Sequence, residues 1–427
     1  MNAAPTRYAA ICRLTYMIKL EWESKGGPMN FVFISPNFPT DFAQFCVGLK
    51  ENGANVLGIG DAPYDELRGD LKWALTEYYR VDSLENYDEM IRAVGYFTGR
   101  YGKMDWIESN NEYWLELDAA LRTDFNVLTG LKSDDIGRFR SKSGMKERYA
   151  SVGVPTARWQ LVSTMEKALE FIDTVGYPVV VKPDRGVGAE ATYKLKCEAD
   201  VKNFFEYLPT IPYVMEEFVK GSVTTFDGIV NSQGKVLFAA SHITENSIMD
   251  MLNEGVPCWY YVDKEVPDDV REAGEKTLAA FDVRSRAFHL EFFRLTEAKE
   301  GLGDVGDIVG LEVNMRPAGG FTPEMINIGQ SVDMFRIWSD MIVFDELRHE
   351  FSGPKRYSLY MGRRDDQSYT YSGDDLWRKY GENIYRAGEM PPAIGRLMGN
   401  DYMLALFDTK EQMKAFVKDA YAPMRVL

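Results

Sequence analysis

The chain predicts a protein of mixed α/β and α+β class. It has a Rossmann-like N-terminal domain, a strand-rich α+β unit after it and a C-terminal lobe. Three observations lead there. Between residues 31 and 108, short apolar runs alternate with helical patterns, the mark of a parallel sheet. At Tyr177–Thr192 a β-branched run ends in Lys182 and enters a glycine-containing loop. From Leu311 to Gly320, polar side chains recur at every second position ahead of a glycine pair.

Phe31 to Ser35 reads as the first strand, and Phe42 to Glu51 as the helix that follows, with Asp41 as its cap. Asn55 to Ile59 is a second strand ending in Gly60-Asp61. Its Gly-x-Gly is not a dinucleotide fingerprint, because no third glycine and helix follow in register. Tyr87 to Tyr101 is helical, with Asp88 and Glu89 near its start, and Asp105 to Glu108 begins another strand. Ser109-Asn110-Asn111-Glu112 follows that strand, at the edge where open α/β sheets take ligands. Asn111 and Glu112 read either as substrate contacts or as a helix cap.

Ser133 to Ser151 reads as one helix, ended by Gly153-Val154-Pro155. Thr164 to Val175 is the next, capped by Ser163 or Thr164, before Gly176-Tyr177-Pro178 turns into the Lys182 strand. Asp200 to Tyr207 is a short helix and Asp268 to Phe281 a longer one. Leu295 to Asp307 reads as an extended hairpin loop whose acids are solvated. From Phe351 the chain is polar and aromatic, finishing in a helix at Thr409 to Tyr421. The expected division is an extension at 1–28 that carries no chemistry, a Rossmann-like domain at 29–128, a strand-rich domain at 129–345 split between 211 and 212, and a lobe at 346–427 that packs back on it.

Chemistry concentrates in three places. Glu312, Asn314 and Arg316 alternate, so on a strand they share one face. Hard oxygen ligands suit Mg²⁺, held by one or two carboxylates plus substrate phosphates. A guanidinium suits phosphoryl oxygens, which its planar fork bonds bidentately. The plainer reading is a solvated strand face. Lys182, at the end of a buried-type strand, would meet a phosphate as a point charge, while Gly186 and Gly188 let backbone N–H groups approach. The loop is no Walker A, and an ordinary hairpin is the plainer alternative. In Pro212–Gly221, the backbone around Glu216, Glu217, Phe218 and Val219 would read an adenine edge, with Phe218 and Val219 over its face. Taken alone, that segment is better read as an edge strand with solvated acids.

In order and spacing these features resemble the ATP-grasp superfamily, from about Met29 to about Val343. The closest match is to its carboxylate–amine ligases, which include L-amino acid ligases and carbamoyl-phosphate-synthase-like proteins. Phe139–Lys146 with Gly153–Thr156 looks like that family's entry into the nucleotide fold. The resemblance implies an ATP-grasp fold, with phosphate-binding lysines at Lys142 and Lys182 and an adenine hinge at Glu216, Glu217, Phe218 and Val219. It implies metal ligands at Glu291, Glu312 and Asn314, and it places Arg316 at the transferring phosphate. ATP and Mg²⁺, or Mn²⁺ in its place, are the implied cofactors. The family's ribose-binding Glu falls on Val223, which passes that contact to Thr224, Thr225 or Asp227.

The whole chain is compatible with this. Its 427 residues suffice for more than one domain. A net charge of −16 disfavours nucleic acid and anionic membrane surfaces. Tyr8 to Leu20 is apolar but interrupted by Arg13 and Lys19, too short and charged to span a bilayer. Four cysteines without a Cys-x-x-Cys fit a reducing cytoplasm. The three histidines lack metal-ligand spacing, and His289, two residues before Glu291, reads as a supporting or structural residue.

The expected activity is ATP-dependent joining of a carboxylate to an amine through an acyl phosphate. Amino acids are the default substrates by resemblance, and a homodimer is compatible with the chain. A bicarbonate-using carboxylase or carbamoyl-phosphate-type enzyme is one alternative, and a nucleotide-binding regulator without turnover is another. Asn246 to Trp259, with Met249, Met251 and Trp259, reads either as a substrate pocket or as core.

Overall fold

The computed structural model describes residues 27–186, 191–208, 210–246, 251 and 255–423. The first 26 residues of the expected extension, Gly188 and Met249 therefore lie outside the described residues.

The first sheet is parallel throughout, in the order β3-β2-β1-β4, with β1 at Asn30–Ile34, β2 at Asn55–Gly60, β3 at Glu77–Arg80 and β4 at Trp106–Glu108. β1 is buried along its whole length, as its unbroken apolar run requires. Helix Tyr87–Tyr101 is capped by Asn86, whose side chain accepts from the Glu89 N–H. Asp41 does not cap the next helix as expected. It lies inside a short 3₁₀ turn, Thr40–Phe42, and helix Ala43–Glu51 starts after it.

One face of this sheet is covered from far along the chain. Helix Met334–Phe344 packs on helix Ala43–Glu51, and the Trp338 ring lies 5.7 Å from Phe31 and 4.8 Å from Phe45. All three rings are fully buried. Burial of each contributes roughly 1.5–3 kcal/mol, enough to bind the first sheet to the later part of the chain. Gly48 permits the close approach, since a Cβ there would lie 2.6 Å from Ser339 Oγ.

The second sheet is small and antiparallel, in the order β5-β8-β6-β7, from β5 (Trp159–Leu161), β6 (Val179–Pro183), β7 (Tyr193–Leu195) and β8 (Tyr213–Glu217). The third has nine strands: β9 (Gly221–Val230), β10 (Val236–Ala240), β11 (His242–Thr244), β12 (Cys258–Val262), β13 (Arg286–Leu295), β14 (Ile308–Asn314), β15 (Tyr357–Arg363), β16 (Ile384–Glu389) and β17 (Asp401–Phe407). Its order is β14-β13-β9-β11-β12-β15-β17-β16, with β10 on β9. The strands after residue 356 thus continue the sheet that carries Glu291 and Glu312.

Two further expectations change. Ser133–Ser151 is not one helix: Ser133–Ile136 and a 3₁₀ turn precede helix Lys142–Ser151, whose cap Ser141 accepts from the Gly144 N–H. The strand expected to run through Arg316 stops at Asn314, and Arg316 sits in the bend beyond it. Among the described residues, no helix is long and apolar enough to cross a membrane.

Candidate active site

Three strands of the large sheet build one polar face. Thr225 of β9 pairs with Glu291 of β13, and Glu291 with Glu312 of β14. The next row on the same face is Asp227, His289 and Asn314. Glu291 and Glu312 are thus directly opposed, an arrangement that destabilises like charges unless a cation separates them. Burial raises the Glu312 pKa above the usual carboxylate range, against the Lys142 ammonium and with the help of Glu291. Lys142 Nζ lies 3.5 Å from Glu312 Oε1 and donates to the Gly186 carbonyl at 3.1 Å.

The two expected lysines reach the site from different elements. Lys142 opens helix Lys142–Ser151, and Lys182 lies near the end of β6. Asp184 joins these ends. Its carboxylate accepts from Ser143 N–H at 2.8 Å and Ser141 Oγ at 3.0 Å, and its carbonyl from Lys142 N–H at 2.9 Å. Lys182 Nζ is 3.0 Å from Glu216 Oε1, which Lys146 approaches to 3.2 Å from the helix's second turn. Burial opposes the charge on Lys182, but Glu216 and Glu312 hold its pKa above the ordinary lysine value. For fully buried Lys146, burial prevails over Glu216 and the pKa falls.

The segment after β8 is clamped. Arg158 donates to Glu217 through its backbone N–H at 2.7 Å and its guanidinium at 2.6 and 3.0 Å, and Lys299 approaches the same carboxylate to 3.1 Å. Lys299 also donates to the Phe218 carbonyl at 2.8 Å, and Lys194 lies 3.9 Å above the Phe218 ring. Val219 is buried. The Glu216 and Glu217 side chains are therefore committed to ion pairs, which leaves main-chain groups as the polar surface of this segment.

Beside β14, the first sheet contributes a buried charged cluster. Arg286 of β13 donates to the Met315 carbonyl at 2.6 Å and lies 3.6 Å from Glu108 at the end of β4. Arg122 bonds the other Glu108 oxygen at 3.1 Å. Burial and the neighbouring Glu108 push Asp118 up to about 8. Arg140 bridges Glu112 at 3.3 Å and Glu116 at 3.4 Å. The link from Arg286 to Met315 fixes the bend from which Arg316 projects.

No protein-family model matches the chain. Its curated relatives include carbamoyl phosphate synthase large chains. It is 25% identical over 198 residues to the arginine-specific, mitochondrial one of Neurospora crassa, covering 45% of this chain and 17% of that protein. It is 25% identical over 126 residues to the C-terminal section of the Methanopyrus kandleri large chain, covering 28% and 23%. The chain thus spans less than a quarter of those relatives. Among solved structures, the L-amino acid ligase of Bacillus licheniformis superposes with a TM-score of 0.65 at 15% identity, over 92% of this chain and 96% of that one. The biotin carboxylase domain of the Hydrogenobacter thermophilus 2-oxoglutarate carboxylase, a dimer solved with MgADP and bicarbonate, gives 0.65 at 15% identity over 92% and 90%.

The chain has the ATP-grasp fold. The likeness to these ligase and carboxylase structures is one of fold, and the carboxylase domain carries MgADP. Within that fold, Lys142, Lys182, Glu291, Glu312 and Asn314 converge, and Arg316 lies close enough to Glu291 to lower its pKa. The ribose contacts expected of Thr224, Thr225 and Asp227 are not free. Thr225 and Asp227 bond His242, and Thr224 points to the opposite face near Ser241. Sequence reasoning missed Lys146, Asp184 and His242, and expected Asp227 at the ribose rather than between two histidines. The first was within reach, since Lys142 and Lys146 are one helical turn apart. Asp184 belongs to the site through its bonds to the distant helix start at Ser141–Ser143, and Asp227 and His242 through pairing between strands distant in sequence.

Proposed function

We propose that the chain is an ATP-dependent carboxylate–amine ligase that forms an amide or peptide bond, with amino acids as its substrate class. The observation that carries this reading is the directly opposed Glu291–Glu312 pair with Lys142 3.5 Å from Glu312. Two carboxylates and an amide oxygen form a hard-oxygen donor set, which fits Mg²⁺ or Mn²⁺ better than a soft metal. Glu291, Glu312 and Asn314 would hold that ion, which when bound neutralises phosphate charge and orients the phosphate oxygens. Lys142 and Lys182 bind the phosphates, and main-chain groups of Glu217, Phe218 and Val219 face the adenine.

A substrate carboxylate oxygen attacks the terminal phosphorus, the bond to the bridging oxygen breaks, and ADP leaves. Arg316 stabilises the charge that develops on the transferred group. The amine nitrogen then attacks the acyl carbon, the carbon–oxygen bond to phosphate breaks, and the amine gives up a proton. Positioning and electrostatics supply the rate, and no covalent enzyme intermediate is required. Asn110 Nδ2 and Glu112 Oε2 are buried with no hydrogen-bond partner among the described residues. They are open to the ammonium or carboxylate of a bound amino acid.

A second reading, bicarbonate as the acid, is favoured by the carbamoyl phosphate synthase relatives. ADP release measured across amino acids, amines and bicarbonate tests both. Release that needs an acid and an amine together, with a product of the condensed mass, supports the ligase. Release with bicarbonate alone selects the second reading. Nucleotide binding without turnover across the panel removes both and leaves a regulator.

A further inference from the structure

We infer that His289, held by Asp227, is the positioning residue for the Glu291 carboxylate, and that this buried chain sets the site's affinity for divalent metal. The inference rests on the reading of Glu291 as a metal ligand. His289 stands between two carboxylates. Its Nδ1 is 2.6 Å from Asp227 Oδ1 and its Nε2 is 2.9 Å from Glu291 Oε1. Each ring nitrogen is thus engaged by a carboxylate oxygen, and the ring spans the two acids.

Nothing leaves that ring free to turn. Asp227 anchors one end and is itself fully engaged: Oδ2 takes hydrogen bonds from the Thr225 hydroxyl at 2.5 Å and from His242 Nδ1 at 2.8 Å. The His242 ring stacks on His289 at 5.5 Å between centroids, with 16° between planes. The His242 N–H in turn donates to Thr225 Oγ1 at 3.0 Å. Nε2 is thereby aimed at one oxygen of Glu291, and the other oxygen is left for a cation.

Asp227, His242 and His289 bring three ligating atoms within 4.8 Å of one another, so a metal among them is the competing assignment. The distances argue against it. A tetrahedral ion with bonds of about 2.0–2.1 Å would hold its ligand atoms roughly 3.4 Å apart. The nitrogen–oxygen contacts here, 2.6 and 2.8 Å, are those of hydrogen bonds.

The test is Mn²⁺ binding in the presence of ADP, measured by electron paramagnetic resonance of free Mn²⁺, on Asp227→Asn, His289→Leu, His289→Gln and Glu291→Gln. Partners of this kind are typically worth about 10- to 100-fold in metal affinity. Asp227→Asn and His289→Leu should weaken Mn²⁺ by that factor, with ADP affinity in chelator unchanged. His289→Gln keeps a donor towards Glu291 and should recover part of the loss. A merely structural role would lower the melting temperature and leave Mn²⁺ affinity alone. Should His289→Leu not fold, the near-isosteric Asp227→Asn gives the answer. If Glu291→Gln binds Mn²⁺ like wild type, the metal site itself is misassigned. If Glu291→Gln weakens Mn²⁺ but Asp227→Asn and both His289 variants do not, the positioning role is overturned. A stoichiometric transition metal retained on purification and lost in His242→Ala would overturn it as well.

Discussion

Glu216 is shared by two lysines, and removing one partner at a time gives opposite outcomes. Its Oε1 lies 3.0 Å from Lys182 Nζ and 3.2 Å from Lys146 Nζ. Lys182→Ala leaves Glu216 paired with Lys146, one anion with one cation, so the fold should survive nearly intact. What is lost is a charge-assisted donor to phosphate, worth about 1.5–3 kcal/mol. That is roughly a 10- to 100-fold rise in the ADP dissociation constant, measured by calorimetry with Mg²⁺ present. Glu216→Gln does the reverse and leaves two buried ammonium groups without their anion. Breaking a buried pair in this way costs about 3–5 kcal/mol, or roughly 6–10 °C in melting temperature at about 2 °C per kcal/mol for a large domain. The pH dependence has a definite sign. Burial holds Lys146 below its ordinary pKa in the folded state, so the unfolded chain binds more protons between the two values and stability rises with pH there. Removal of Glu216 should deepen that dependence. The reasoning fails if Lys182→Ala binds ADP as wild type does, or if Glu216→Gln melts with wild type.

Arg316→Lys keeps the charge but loses the planar fork, and should lower turnover by about 10²-fold or more with little change in ATP affinity; equal losses in both would make Arg316 a ground-state binder. Glu312→Gln should abolish turnover and flatten the Mg²⁺ dependence of nucleotide binding, because it removes one of the two opposed carboxylates; a titration of Mg²⁺ against ADP affinity checks this. The Asp118 carboxyl, pushed up to about 8 by burial and Glu108, contributes stability that is present at low pH and lost as pH rises through that value. Asp118→Asn should remove the decline, read from melting curves at pH values between the ordinary aspartate value of 3.8 and about 8.

The period of two made the site's face legible. Glu312 and Asn314 alternate on β14, and His289 and Glu291 do so on β13. The Lys182 strand was equally clear from its β-branched run. Alternation alone could not say where a strand stops, so Arg316 was placed on β14 rather than in the bend after it. β3 was missed because Glu-Tyr-Tyr-Arg is half exposed and has no apolar run. The apolar pattern of helix Met334–Phe344 did not reveal that it covers the first sheet, because pattern gives a face and not its partner. Asp227 and His242 belong to the site only through the register of β9 with β11 and β13. Sequence offers Glu216 as part of a backbone hinge or as a solvated edge-strand acid; its burial between two lysines has no local mark.

On the proposed reading, this site passes the terminal phosphoryl group of ATP to a substrate carboxylate. The most direct measurement is the fate of carboxylate oxygen, with an oxygen-18-labelled amino acid supplied together with an amine and Mg·ATP. The expected products are ADP and inorganic phosphate carrying one labelled oxygen from the acid, together with an amide that retains the other. Label found in AMP, or amide formed with unlabelled phosphate, would contradict it.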